Sequence, residues 1–137
     1  MAEALHVLMF WLHISGVAAL IGGILYARAV LAPASQPLGP EAQRGLAERT
    51  AVRFRPLVYS SIAALIVSGL YRIISTPGHS PRYHALLGVK LLLAAHVFAV
   101  SALIVKKDSP RRTRLMTGAA ISGFAIIAIA SYLRRIF

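Results

Sequence analysis

Between Leu5 and Ala32 the chain reads LHVLMFWLHISGVAALIGGILYARAVLA, twenty-eight residues almost without polar interruption. As a helix rising about 1.5 Å per residue it would be roughly 42 Å long, more than the roughly 30 Å of bilayer hydrocarbon. Hydrocarbon offers no partner for an open backbone group, so such a segment crosses as a helix. It has no basic leader, no convincing small-residue cleavage site and too great a length for a signal-peptide core, so it reads as a retained span of a protein that begins at Met1. Three further apolar runs follow, about 56–76, 83–105 and 114–133. Short connections join them, and an all-α, integral-membrane, up-down-up-down four-helix bundle over 1–137 is the expected fold.

The connections carry the punctuation. APASQPLGPEAQRG, from Ala32 to Gly45, holds three prolines and two glycines and is expected to block regular structure. Glu41–Arg53 reads as a short amphipathic helix on the membrane surface. Pro56 suits the first turn of the second span, and Thr76-Pro77-Gly78 its stop. Small residues Ser60, Ser61, Ala64, Ser68 and Gly69 in the second span allow close approach of a neighbour. The pairs Gly118/Ser122 and Ala119/Gly123 make the fourth span a packing helix.

Mean hydropathy of +0.71 and only four acidic residues exclude an ordinary soluble domain. A net charge of +11 would suit nucleic acid only as a basic face on a soluble module, whereas here the charges sit between apolar runs. Nucleic acid is therefore not an expected partner; membrane lipid is. Connections one and three hold Arg44, Arg49, Arg53, Arg55, Lys106, Lys107, Arg111, Arg112 and Arg114, against Arg72, Arg82, Arg134 and Arg135 on the other side. This imbalance puts both chain ends on the non-cytoplasmic side, in a membrane of bacterial inner-membrane type. The chain has no cysteine, which removes disulfides, thiolate metal sites, covalent haem attachment and cysteine catalysis together.

The residues that carry chemistry are histidines. His6, Met9 and His13 fall within about 60° of one another on the first helix. His84 stands at the entrance of the third span, Lys90 inside it and His96 near its middle. An ionisable group at such depth is costly, which makes each a functional candidate. Neutral imidazoles from two helices suit the axial positions of a b-type haem, and His13 with His96 is the leading pair. Gly16, Ala99 and Ser68/Gly69 leave room for a ring, while Arg72, Arg82 or Lys90 could face its propionates. A shared iron requires tilt or offset, since His13 lies about 7 Å outward of mid-membrane and His96 near the centre. His6 and His84 match in level and form the candidate pair for a second haem. The same residues support two other readings: a copper site on His6, Met9 and His13 with His84 or His79, and a cofactor-free accessory subunit whose histidines pack.

His13-Ile14-Ser15-Gly16, Gly22-Gly23, Leu25-Tyr26 and Arg28 together resemble the first-helix pattern of the HemJ-type membrane protoporphyrinogen oxidases and of the related CopD-like copper-resistance domain. The stretch from Arg55 to Tyr71 ending in SGLY is similar to their second helix, and Val89-Lys90-Leu91 to the HemJ third helix. The resemblance implies haem b on His13 with a functional Lys90 and, in the HemJ case, oxidation of a porphyrinogen. This chain has Gly88 where HemJ proteins usually have a histidine, lacks their polar opening of the fourth helix at Thr117–Ala120, and adds His96. Those differences favour electron transfer, between a membrane donor such as quinol and a partner protein, either free-standing or within a larger complex or homo-oligomer.

Overall fold

A computed structural model of the chain describes residues 1–76, 78, 80–106 and 111–136. It is all-helical, with four helices long and apolar enough to cross a membrane. Helix α1 spans Ala2–Tyr26 and continues through a π-helical turn, Ala27–Leu31, and a last α turn, Ala32–Ala34. Helix α2 spans Pro40–Ser75, α3 Pro81–Ile104 and α4 Arg112–Ile136. The chain is an integral-membrane four-helix bundle. Its large exposed apolar side chains, among them Trp11, Ile74, Leu92 and Ile121, then face lipid rather than water.

Two sequence expectations fail on prolines. Pro33 does not end α1: Ala32 N–H reaches the Ala27 carbonyl, five residues back, immediately ahead of a residue with no N–H. The π turn thus widens the helix where the proline would have broken its hydrogen-bond ladder. Pro56 does not start the helix of the second span either. The helix runs unbroken from Pro40, with Pro56 in its interior, so the separate surface helix expected at Glu41–Arg53 is instead the first part of α2. Its true first-turn proline is Pro40, after Gly39 as N-cap. Packing along one side, with Ala51 and Val58 buried on either side of Pro56, holds the helix together across the missing hydrogen bond. Ser80 caps α3, its Oγ accepting from the Tyr83 N–H at 3.4 Å, and Gly78 takes a φ of +90° that favours glycine. Pro77, expected in the stop of the second span, lies outside the described residues, as do His79 and Lys107.

The helices pack mainly as two antiparallel pairs, α1 with α2 and α3 with α4, joined by α1 against α4. Lipid is as apolar as the side chains, so van der Waals fit rather than water exclusion holds them, and small residues set the fit. A Cβ on Gly16 would lie 3.0 Å from Leu65 Cγ, one on Gly23 2.5 Å from the Phe54 ring, and one on Gly123 2.5 Å from Ile21 Cδ1. Gly123 and the fully buried Ala119 therefore form the α4 seam, whereas Gly118 faces open space. The core comprises Leu20, Ile21, Ile24, Val58, Val97, Val100, Ile104 and Ala119, at mid-bundle and towards the α3–α4 connection.

Gly123→Val should destabilise the detergent-solubilised protein by about 1–3 kcal/mol, because Ile21 must move. Gly118→Val, with the same change in helix propensity but nothing to meet, should cost much less. Equal losses in thermal unfolding would remove the Ile21 contact as the α1–α4 seam.

Candidate functional site

The α1–α2 seam carries a ladder of unlike pairs at one end of the bundle. His6 Nδ1 lies 2.9 Å from Tyr71 Oη, with the two rings tilted at 5.4 Å. Phe10 carries the Arg72 guanidinium over its ring at 5.6 Å, a cation–π contact. His13 Nδ1 lies 2.9 Å from Ser68 Oγ. One turn deeper, Gly16 meets Leu65 and the Ser61 carbonyl. Residues 6, 10, 13 and 16 recur every three or four positions and meet α2 residues that fall from 71 and 72 through 68 to 65, as an antiparallel pair requires.

The Ser68 hydroxyl decides what His13 can do. Its Oγ lies 2.6 Å from the Ala64 carbonyl, a group that can only accept, so its single proton is given there. Towards His13, the same oxygen must accept from Nδ1–H. A neutral ring held this way carries its lone pair on Nε2, the nitrogen turned away from Ser68. Metal-bound histidines are oriented in the same manner by an acceptor on the other ring nitrogen.

Two cations lie within electrostatic reach of this histidine. Lys90, half-buried on α3, and Arg72 both act electrostatically on His13, and Arg72 on Lys90. The charged groups acting on His13 and Lys90 are positive in each case, with no carboxylate among them. Gly69 borders the ring as well, a Cβ there falling 3.8 Å from His13 Cε1. The arrangement offers one imidazole lone pair with two cations within electrostatic reach, neither of them ion-paired among the described residues. That combination suits a ligand bearing both a metal and carboxylates.

Of the residues singled out by sequence, the structure sets His13 against Ser68 and Gly69, with Arg72 over Phe10 on the same seam and Lys90 within electrostatic reach on α3. It leaves His96 apart. His96 is exposed on α3, beside the buried Val97, and has no hydrogen-bond partner among the described residues. The two histidines expected to share one site have different surroundings, His13 turned into the α1–α2 seam and His96 exposed on α3. Gly16 is buried, but its space is filled by Leu65, so it serves helix approach rather than room for a ring. His6 turns to Tyr71, while the His84 ring meets that of its neighbour Tyr83 edge-on at 5.8 Å, so the two have different partners. Met9 is half-buried. No group of three His, Cys, Asp or Glu side chains able to hold a metal ion occurs among the described residues. Sequence reasoning did not pair Tyr71 with His6, or Phe10 with Arg72; matching depths along two antiparallel helices would have suggested both.

No family model, curated protein or solved structure matches the chain. The site must be read from its own geometry.

Ser68→Ala leaves His13 Nδ1 without its acceptor and should cost about 0.6 kcal/mol of stability, the usual worth of a hydrogen bond between membrane helices. In ¹⁵N-histidine NMR spectra of the solubilised protein, wild-type His13 should show a protonated Nδ1 and an unprotonated Nε2, a preference that the variant loses. An Nε2-protonated His13 in the wild type would reverse the assignment.

Proposed function

We propose that this protein binds a b-type haem at the α1–α2–α3 end of the bundle and carries electrons within the membrane, between a donor such as quinol and a partner protein. The observation that carries the reading is the Ser68 hydroxyl, which gives its proton to Ala64 and so leaves the His13 lone pair on Nε2. His13 would ligate the iron, and Arg72 and Lys90 would neutralise the propionates. The donor set fits the group: a neutral imidazole buries no charge, and two uncompensated cations call for two carboxylates. A haem bound there supplies one-electron oxidation and reduction. The chain's own part is to fix the imidazole through Ser68, to hold Arg72 through Phe10, and to keep the site apolar on its α2 side through Leu65. The resemblance to HemJ-type and CopD-like proteins supports the same ligand.

The exposed position of His96 favours a second reading. With no second histidine beside His13 among the described residues, a haem held there would remain open to a substrate, as a HemJ-like oxidation of a porphyrinogen would require. The two readings share the His13 site and differ in the spin state of the iron.

On protein expressed with haem supplied and purified in detergent, the reduced-minus-oxidised spectrum should show b-type bands at about one haem per chain. His13→Ala should abolish them, and His96→Ala should retain bound haem. Low-spin bands indifferent to carbon monoxide support electron transfer; a high-spin, carbon-monoxide-binding spectrum with porphyrinogen turnover supports the oxidase. A colourless protein, or a wild-type spectrum from His13→Ala, sinks both.

We also propose that both chain ends lie outside the cytoplasm of a bacterial inner membrane, from the basic residues of the first and third connections. The cysteine-free chain makes the test direct. Ser75→Cys should react with an impermeant maleimide in intact cells, and Ala42→Cys only after lysis; the opposite pattern inverts the topology.

A further inference from the structure

At the end of the bundle away from His13, the chain encloses a partly open cavity of about 280 Å³. Its size is close to the lower end of the roughly 300–1,000 Å³ range of ligand pockets. The π turn of α1 supplies Ala27 and Leu31, the first part of α2 supplies Ala47, Ala51 and Phe54, and α4 supplies Met116. The small side chains of α2 leave the space open, and the π turn adds to it, since an extra residue per turn pushes the helix wall outward. Polar groups occupy part of the lining: Ser35, Gln43 and Arg112.

One guanidinium lines this cavity, and two others bond next to its lining residues. Arg112 lines it while donating from Nε to the Ile104 carbonyl at 2.9 Å and from Nη2 to the Lys106 carbonyl at 2.7 Å. Those bonds fix the side chain across the end of α3 and leave the N–H groups of Nη1 unused. Arg55 donates to the Val105 carbonyl at 3.1 Å, and Arg28 to Thr117 Oγ1 at 3.0 Å, each partner adjacent in sequence to a lining residue. All three arginines bond neutral oxygens, so each retains its full positive charge. Among the described residues, the acidic ones on this side of the bundle are Glu41 and Glu48 on α2, and neither lines the cavity.

An apolar cavity at the level of the membrane surface, with cations anchored beside it, matches one class of molecule. We propose that it is a binding site for an anionic phospholipid of the adjoining leaflet, one acyl chain filling the apolar part and the phosphate meeting Arg112. A zwitterionic lipid carries the same phosphate, but its own ammonium offsets that charge and leaves the guanidinium groups without a net counter-charge, and a free anion would leave the apolar walls unused. The site stands apart from the His13 cluster and does not depend on what binds there.

The test is native mass spectrometry of the delipidated protein in detergent with equal amounts of dioleoyl phosphatidylglycerol and phosphatidylcholine. One phosphatidylglycerol per chain is expected, preferred about fivefold, the worth of one basic residue at a membrane surface. Arg112→Gln should erase the preference, and Arg49→Gln, an equal loss of charge at an exposed position, should keep it. Ala47→Leu fills the cavity with apolar atoms and should abolish retention of either lipid. That variant keeps the test decisive if Arg112→Gln proves unstable, since it leaves the α3 cap intact. Excess inorganic phosphate should not displace the lipid. Equal retention of both lipids by the wild type, undiminished binding by Ala47→Leu, or displacement by phosphate would each overturn the proposal.

Discussion

A polar side chain surrounded by hydrocarbon has no water to fall back on, and the architecture at one end of this bundle answers that constraint. His13 is satisfied by Ser68, and Ser68 by the carbonyl of its own helix at Ala64. The chain of donors runs one way because a carbonyl can only accept. A packing requirement between two helices thereby becomes a statement about which nitrogen of a histidine is available. Moving Ser68 by one position along α2 would swing it about 100° away and leave the imidazole unoriented.

The hydrophobic runs made the fold legible. Four spans follow from length and apolarity alone, and antiparallel packing of neighbours follows from short connections. What misled was the reading of proline as punctuation. Pro33 and Pro56 both lie within continuous helical courses, and composition does not reveal that a π turn or neighbouring buried residues will absorb the lost hydrogen bond. A similar asymmetry applies to glycine. Gly16, Gly23 and Gly123 are each needed for close approach, while Gly22 and Gly118 meet nothing, although the helical spacing treats them alike.

At the site, the sequence identified His13, Arg72 and Lys90 because charge and imidazole are conspicuous in an apolar run. The partners that give those groups their roles were harder to find. Ser68 stood out only as a small residue, and Phe10 only as part of a hydrophobic span. Which face of α1 meets α2 depends on the rotation of both helices about their axes. An all-round apolar helix does not declare that rotation. The same ambiguity allowed His96 to be drawn towards His13, when the buried face of α3 is set by Val97, Val100, Ser101 and Ile104.

The continuity of α2 through Pro56 also shapes the molecule as seen from outside. At about 1.5 Å per residue its 36 residues extend about 54 Å, and a tilt large enough to bury that length in roughly 30 Å of hydrocarbon would exceed the usual range for membrane helices. Part of the helix must stand clear of the bilayer, and the polar stretch before Pro56 is the part suited to do so. The opposite end is nearly flush, with only residues 76–80 between α2 and α3. A second protein settling on the flush end comes to within about 11 Å, the rise from His6 to His13, of the level of the buried imidazole. On the other side it would meet the first turns of α2, which pass through the headgroup layer and stand clear of the hydrocarbon. The shorter approach to His6 and His13 is therefore from the end at which α2 and α3 are joined.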